Sequence, residues 1–246
     1  LDTQTLVIAA LVFVAAGFVK GVIGLGLPTV AVGFLSLILP PAGAASLMLV
    51  PSLITNIWQI AAGPNLWSLT RRIALLLIGI AVGTWLGSGV LTGARAAQAA
   101  VALGIVLVVY ALVGLAKVKF AVPAAAEPWL GPLVGIVTGV VSAATGIFVM
   151  PSVPYLQALG FEKDDLVQAL GITFLAATLA LAAGLAQSGV FRLDVAGASL
   201  AMLVPALLGM WLGQIVRGRI SAERFRFWFL IGLVGLGLHL ALKPLL

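Results

Sequence analysis

The sequence predicts an all-α, polytopic membrane protein of two inverted five-segment repeats, each opening with a broken or re-entrant helical hairpin. Three observations carry that prediction. Of 246 residues, 63% are hydrophobic and 8% charged, whereas a soluble domain carries about 25% charged residues. With a mean hydropathy of +1.26, lipid has to be the solvent for most of the surface. The apolar residues fall into ten stretches, too many for a single anchor. Several short motifs then recur in the same order in the two halves, with the odd number of stretches per half turning the second half over.

The stretches run over 4–23, 27–39, 43–62, 68–91, 96–116, 129–145, 146–159, 165–187, 193–216 and 224–243. Most are long enough as helices to cross about 30 Å of hydrocarbon at about 1.5 Å per residue. Stretches 27–39 and 146–159, with 13 and 14 residues, are short. Each follows another apolar stretch across a Gly-rich break, GVIGLGLP at 21–28 and GVVSAATG at 139–146. Each short piece either crosses fully or re-enters. The opening LDTQTL has no basic n-region, so the first stretch is expected to be retained rather than cleaved as a signal.

Charge assigns sidedness. With the N-terminus outside and every stretch crossing, Arg71, Arg72, Lys117, Lys119, Lys163, Arg217, Arg219, Arg224 and Arg226 fall inside. Arg95, Arg192 and Lys243 fall outside, which is a positive-inside bias with both termini extracytoplasmic. The net charge of +6 therefore reads as topology and not as nucleic-acid binding.

The recurrences divide the chain into a first repeat (1–116), a linker (117–128) and a second repeat (129–246). Gly17 and Gly21 match Gly135 and Gly139; Ser46 and Asn56 match Gln168 and Thr178; GTWLG at 83–87 matches GMWLG at 209–213; Gly104 matches Gly232. The offset grows steadily from 118 to 128, as loop insertions in the second half would make it. Inverted repeats with broken segments are a mark of secondary transporters.

Chemistry narrows by elimination. There is no cysteine and one histidine, His239, so neither a disulfide nor a metal cluster is expected. No cofactor is implied. H-E-x-x-H, G-x-S-x-G and a buried Asp pair are all missing, so an enzyme is not expected. The acidic residues Asp2, Glu127, Glu162, Asp164, Asp165, Asp194 and Glu223 all lie in termini, loops or segment ends. A buried field without carboxylates suits an anion better than a cation or a proton relay.

The two breaks enter from opposite faces, and their tips are expected to meet near the membrane middle, where non-helical backbone must be buried or line a cavity. Gly24 and Gly26 in the first break, and Thr145 and Gly146 in the second, are candidate binding positions, because helix ends there aim free N–H groups at an anion. Pro28 suits the first turn of the following helix. The competing reading makes the glycines close-packing positions. Lys20, beside the first break, either neutralises a substrate or snorkels to the interface. Ser52, Asn56 and Gln59 share one helix face; with Gln168 and Thr173 they either bind substrate oxygens or join helices. Pro51 is expected to kink its helix. Trp67, Trp129 and Trp228 look interfacial, Trp85 and Trp211 look like packing residues, and His239 looks structural.

The run GFVKGVIGLGLPTVAVGFLSLILPP, followed by A-x-S-L-x-L-V-P-S-L-x-T-N-I-W-Q, resembles the TauE/SafE family of sulfite and organosulfonate exporters, also called the toluene-sulfonate uptake permease family. GIVTGVVSAATGIFVMPSVPYLQALG resembles that family's second repeat. The family's usual G-x-x-G-x-G-G-G is here GVIGLGLP, with Pro28 displaced, and the second stretch keeps only Gly139 and Gly146, with Pro151 at the family's proline. The resemblance implies a multi-pass carrier of the cell inner membrane that exports sulfite or a sulfonate such as sulfoacetate. An anion channel of the same fold, and a carrier of another small organic anion, stay open, as does a homo-oligomer. The partners expected are a small anionic substrate and the lipid bilayer, with no nucleic acid.

Overall fold

A computed structural model of the chain describes residues 2–91, 96–116 and 121–243, with the backbone alone at 96, 97 and 222. Arg95, Lys117 and Lys119, used above for sidedness, lie outside the described residues, as does part of the linker. Everything regular among the described residues is helical: α1 (Thr3–Ile23), α2 (Leu27–Leu35), α3 (Pro41–Ala61), α4 (Leu66–Arg72), α5 (Ala74–Leu86), α6 (Ala96–Leu115), α7 (Glu127–Thr145), α8 (Ser152–Ala158), α9 (Lys163–Gln187), α10 (Leu193–Ala201), α11 (Leu203–Arg217) and α12 (Ala222–Leu242). Among the described residues, seven helical segments, with α10 and α11 taken together as one, are long and apolar enough to cross a membrane, or up to eight if the bent pair α4–α5 makes one span. The chain is a multi-pass membrane protein.

Several stretches are more broken than their apolarity suggests. Stretch 68–91 divides into α4 and α5, bent by 62°. Stretch 193–216 divides at Met202 into α10 and α11. Stretch 27–39 is helical only to Leu35, and in 146–159 only Ser152–Ala158 is helical. Apolarity reports burial in lipid or protein, and a run of apolar residues is equally compatible with helix and with a buried irregular segment.

Two seams hold the bundle together, and each is made of glycines. The main partner of α1 is α11, and the main partner of α7 is α5. Gly17 and Gly21 lie against the carbonyls of Ala206 and Met210, and Gly209 and Gly213 against those of Val14 and Phe18. In the other seam Gly135 and Gly139 lie against Leu76 and Ile80, and Gly79 and Gly83 against Pro132 and Ile136. A Cβ at any of these would sit 2.0–2.5 Å from a backbone oxygen. This is the small-residue approach by which membrane helices gain contact without a hydrophobic driving force. The close-packing reading therefore holds for Gly17, Gly21, Gly135 and Gly139. The α1–α11 seam joins helices nearly two hundred residues apart, and the α5–α7 seam joins helices on either side of α6.

The seam also decides where the tryptophans point. A residue two positions beyond a helix glycine lies about 200° round the axis. Trp85 and Trp211, two after Gly83 and Gly209, accordingly do not pack inward; they are 72% and 58% exposed. His239 is likewise exposed, and its carbonyl accepts from the Lys243 N–H at the helix end.

At the centre α3 crosses α9 in antiparallel fashion: Gly63 lies beside Gln168, Gln59 beside Gly171, and Ser52 bonds Thr178. Helix α3 continues through Pro51. Proline removes the N–H that the Leu47 carbonyl would accept, and the Ser199 hydroxyl of α10 takes its place at 2.8 Å while accepting from the Val50 N–H at 3.1 Å. No sequence pattern singles out Ser199 for this task.

Candidate functional site

The first break follows from backbone geometry. Helix α1 ends at Gly24, in the left-handed region with φ 79°, and its N–H donates to the Lys20 carbonyl at 2.8 Å. Gly26, with φ 104°, opens α2, and Pro28 sits in the first turn. Positive φ favours glycine because a Cβ would meet the backbone. The second break has the same cap: Gly146, φ 76°, donates to the Ser142 carbonyl at 2.8 Å. Its exit is longer, through 147–151 with a cis Met150–Pro151 bond before α8. Thr145 shapes that exit, donating to Val141 O at 2.7 Å and accepting from Ile147 N–H at 3.2 Å.

The breaks do not meet. The Gln59 side chain reaches the Gly24 carbonyl (2.8 Å), whereas Gly146 lies against Ala45 and Val32. Gln59 and Ala45 are both on α3, separated by about 21 Å of helix rise. The tips thus lie at opposite ends of α3. The chain between Gly24 and Pro41 consequently runs back beside α3, from its C-terminal end to its N-terminal end. Sequence spacing gives the order of such breaks but not their depth.

Lys20 faces inward. It is 4% exposed, so it does not snorkel. Its Nζ donates to Thr55 Oγ1 at 3.0 Å and to Asn56 Oδ1. Lysine can only donate, which fixes the amide orientation of Asn56; the Phe174 carbonyl can only accept, which takes the Thr178 proton and leaves Ser52 as the donor to Thr178. Asn56 Nδ2 donates to Ser52 Oγ at 3.2 Å, Ser52 Oγ to Thr178 Oγ1 at 3.1 Å, and Thr178 Oγ1 to the Phe174 carbonyl at 2.6 Å. Thr55 donates to the Pro51 carbonyl at 2.7 Å. The network ties α1, α3 and α9 together, and every partner of the ammonium is neutral. Among the described residues the ion pairs are elsewhere: Arg72 with Glu127 at 2.7 Å, and Arg192 with Asp194 at 3.6 Å. An ammonium at such depth is expensive without a counter-charge.

The structure brings Lys20, Gly24, Ser52, Asn56 and Gln59 together, with Gly26 at the start of the adjoining helix. It does not bring the others to them. Gln168 spends its amide on the end of α3 and the loop after it, donating to Ile60 and Gly63 carbonyls (2.8 and 2.7 Å) and accepting from Asn65 N–H (3.0 Å). Thr145 and Gly146 belong to the far break. Thr173 is buried and its hydroxyl has no partner, a condition shared with Thr84, Thr138 and Ser142. Thr84 also lines a cavity of about 20 Å³ between α5, α7 and α9, enough for one water molecule. Thr55 and Thr178 are the site members that reading the sequence for candidate ligands leaves out. Thr178 carries a signal, because it aligns with Asn56 between the halves; Thr55 has none beyond its polarity.

A larger open cavity, about 660 Å³, lies at the surface by Pro64, Asn65, Trp67, Ser68, Arg71 and Arg72. Arg72 is committed there to Glu127 and stacks 4.6 Å from the Phe161 ring centre.

A family model described as sulfite exporter TauE/SafE matches residues 9–240. The chain belongs to the TauE/SafE family. That is a transporter family, and the match spans all the helices that build the Lys20 network. TauE/SafE membership implies a sulfite- or sulfonate-type anion as cargo. No curated protein and no solved structure matches the chain.

Proposed function

We propose that the chain is a secondary carrier that exports sulfite or an organosulfonate by alternating access, with the anion bound at Lys20. The observation that carries this reading is the buried ammonium whose bonds go to the neutral Thr55 and Asn56. Two of its three N–H groups are used, which leaves one for a ligand oxygen. Gly24, Gly26, Ser52, Asn56 and Gln59 complete the first half of the site. Thr145, Gly146, Gln168 and Thr173 are assigned to the second half, Thr145 and Gly146 at the far break and Gln168 and Thr173 on α9.

The same reading takes 1–116 and 129–246 as inverted repeats joined by 117–128, with both termini extracytoplasmic in an inner membrane. Support comes from the paired glycine seams, the matching caps at Gly24 and Gly146, and the helix directions. α1 runs parallel to α11, α5 parallel to α7, and α3 antiparallel to α9, as alternating crossings require.

The test is uptake of labelled sulfite into proteoliposomes. Lys20→Met should lower the initial rate by at least about tenfold, the worth of a charge-assisted hydrogen bond. Preloaded unlabelled sulfite should accelerate entry of label, which a channel would not support. Wild-type uptake by Lys20→Met, Asn56→Ala and Gln59→Ala together would remove the site.

A further inference from the structure

Gln59 has an atom that the transport reading does not use. The Gly24 carbonyl can only accept, so the amide nitrogen of Gln59 must face it, at 2.8 Å. The other end of the amide, Oε1, is then turned away. It is buried and has no hydrogen-bond partner, in a residue only 8% exposed. A buried carbonyl oxygen left without a donor is costly, so it marks a place where a donor is missing.

Its position relative to the ammonium is set by two successive rungs. Lys20 on α1 bonds Asn56 on α3, and Gly24, four residues on, bonds Gln59, three residues on. The rungs therefore lie one helical turn apart, about 5 Å. One unused N–H on a cation and one unpartnered acceptor thus belong to neighbouring rungs of the α1–α3 contact, about one turn apart. No other charged side chain among the described residues is bonded into the network.

We infer that this site selects a singly charged sulfur oxyanion that carries its own hydrogen-bond donor, the oxyanion on Lys20 and the donor on Gln59 Oε1. Hydrogen sulfite and hydroxyl-bearing sulfonates have this character; sulfate and the sulfite dianion do not. The inference rests on the assignment of Lys20 as the anion site. One cation balances one negative charge, so the loaded site is neutral, while a dianion would leave a buried charge unmatched. A site that offers an acceptor to a substrate hydroxyl discriminates against the analogue lacking it, because that acceptor is then left bare.

The experiment is calorimetric titration of the purified full chain at a single pH with ethanesulfonate, 2-hydroxyethanesulfonate and sulfate. Both sulfonates should bind, the hydroxyl form more tightly by about three- to tenfold. Sulfate should bind at least about tenfold more weakly than either. Gln59→Leu should erase the hydroxyl advantage while ethanesulfonate still binds, and Lys20→Met should abolish binding of both sulfonates. Sulfate binding as tight as the sulfonates, or equal affinity for the two sulfonates in the wild-type protein, overturns the inference while leaving the site in place. Unchanged binding of all three by Lys20→Met removes the site itself. The wild-type comparison needs no variant, so a misfolded Gln59→Leu does not rescue the idea.

Discussion

The two broken segments share a scaffold and differ in what they place on it. In α1 the seam glycines Gly17 and Gly21 are followed by the cap Gly24; in α7 Gly135 and Gly139 are followed by the cap Gly146. From the second seam glycine to the cap is three residues in α1 and seven in α7, so α7 runs one turn further before it breaks. Where α1 carries Lys20, bonded to Thr55 and Asn56, α7 carries Thr138 and Ser142, fully buried with unpartnered hydroxyls. The backbone approach that builds the bundle places glycine on both sides of both seams, whereas the buried charge of Lys20 stands on one side only.

That contrast is open to direct attack. The largest effect is expected at the seams, where Gly17→Val and Gly135→Val each force a side chain into backbone oxygen 2.0 and 2.3 Å from the new Cβ. Each should cost about 3 kcal/mol or more, the upper range for overpacking, read as lost folded yield and lowered Tm in detergent. A variant that harms one seam and spares the other would break the equivalence of the halves.

Next comes the asymmetry of chemistry. Lys20→Met should cut labelled sulfite binding by about ten- to a hundredfold, whereas Ser142→Ala should change it by less than about threefold. Equal losses would place the charge and the hydroxyls in one shared site. Ser199→Ala strips the partner from the Leu47 carbonyl and the Val50 N–H. It should destabilise by about 1–3 kcal/mol in chemical unfolding without altering anion selectivity. The smallest effect belongs to Thr138→Val, which deletes an unpaired hydroxyl at nearly constant shape and should be neutral or stabilising by up to about 1 kcal/mol. Stabilisation together with slowed turnover would show that the hydroxyl is used in a state other than this one.

Much of the fold is legible in the sequence because lipid imposes it. Long apolar runs, repeated glycines and basic loops are direct consequences of the solvent. The breaks are legible for the same reason, since GVIGLGLP cannot continue a helix unperturbed. Their depth is not, because it depends on how α3 is shared between them. Trp85 and Trp211 mislead, since a large residue inside a repeated motif invites a packing role when the glycine beside it does the packing. Lys20 and Asn56 stand out by residue type, but their pairing spans 36 positions and no local pattern announces it. The bonds from Gln168 to the Ile60 and Gly63 carbonyls span more than a hundred positions, and only three-dimensional contacts reveal them.

The seams have a consequence for how the protein comes into being. α1 emerges first from the ribosome, yet the surface that covers its glycine stripe, on α11, is made nearly two hundred residues later. At about 5–20 residues per second, the stripe waits on the order of ten seconds or more in the bilayer with its backbone carbonyls thinly covered. Contacts this far apart in sequence raise contact order and slow assembly. Neither half, synthesised alone, can complete either seam. Co-expressed as two fragments cut in the linker, they should regain transport together and lack it apart.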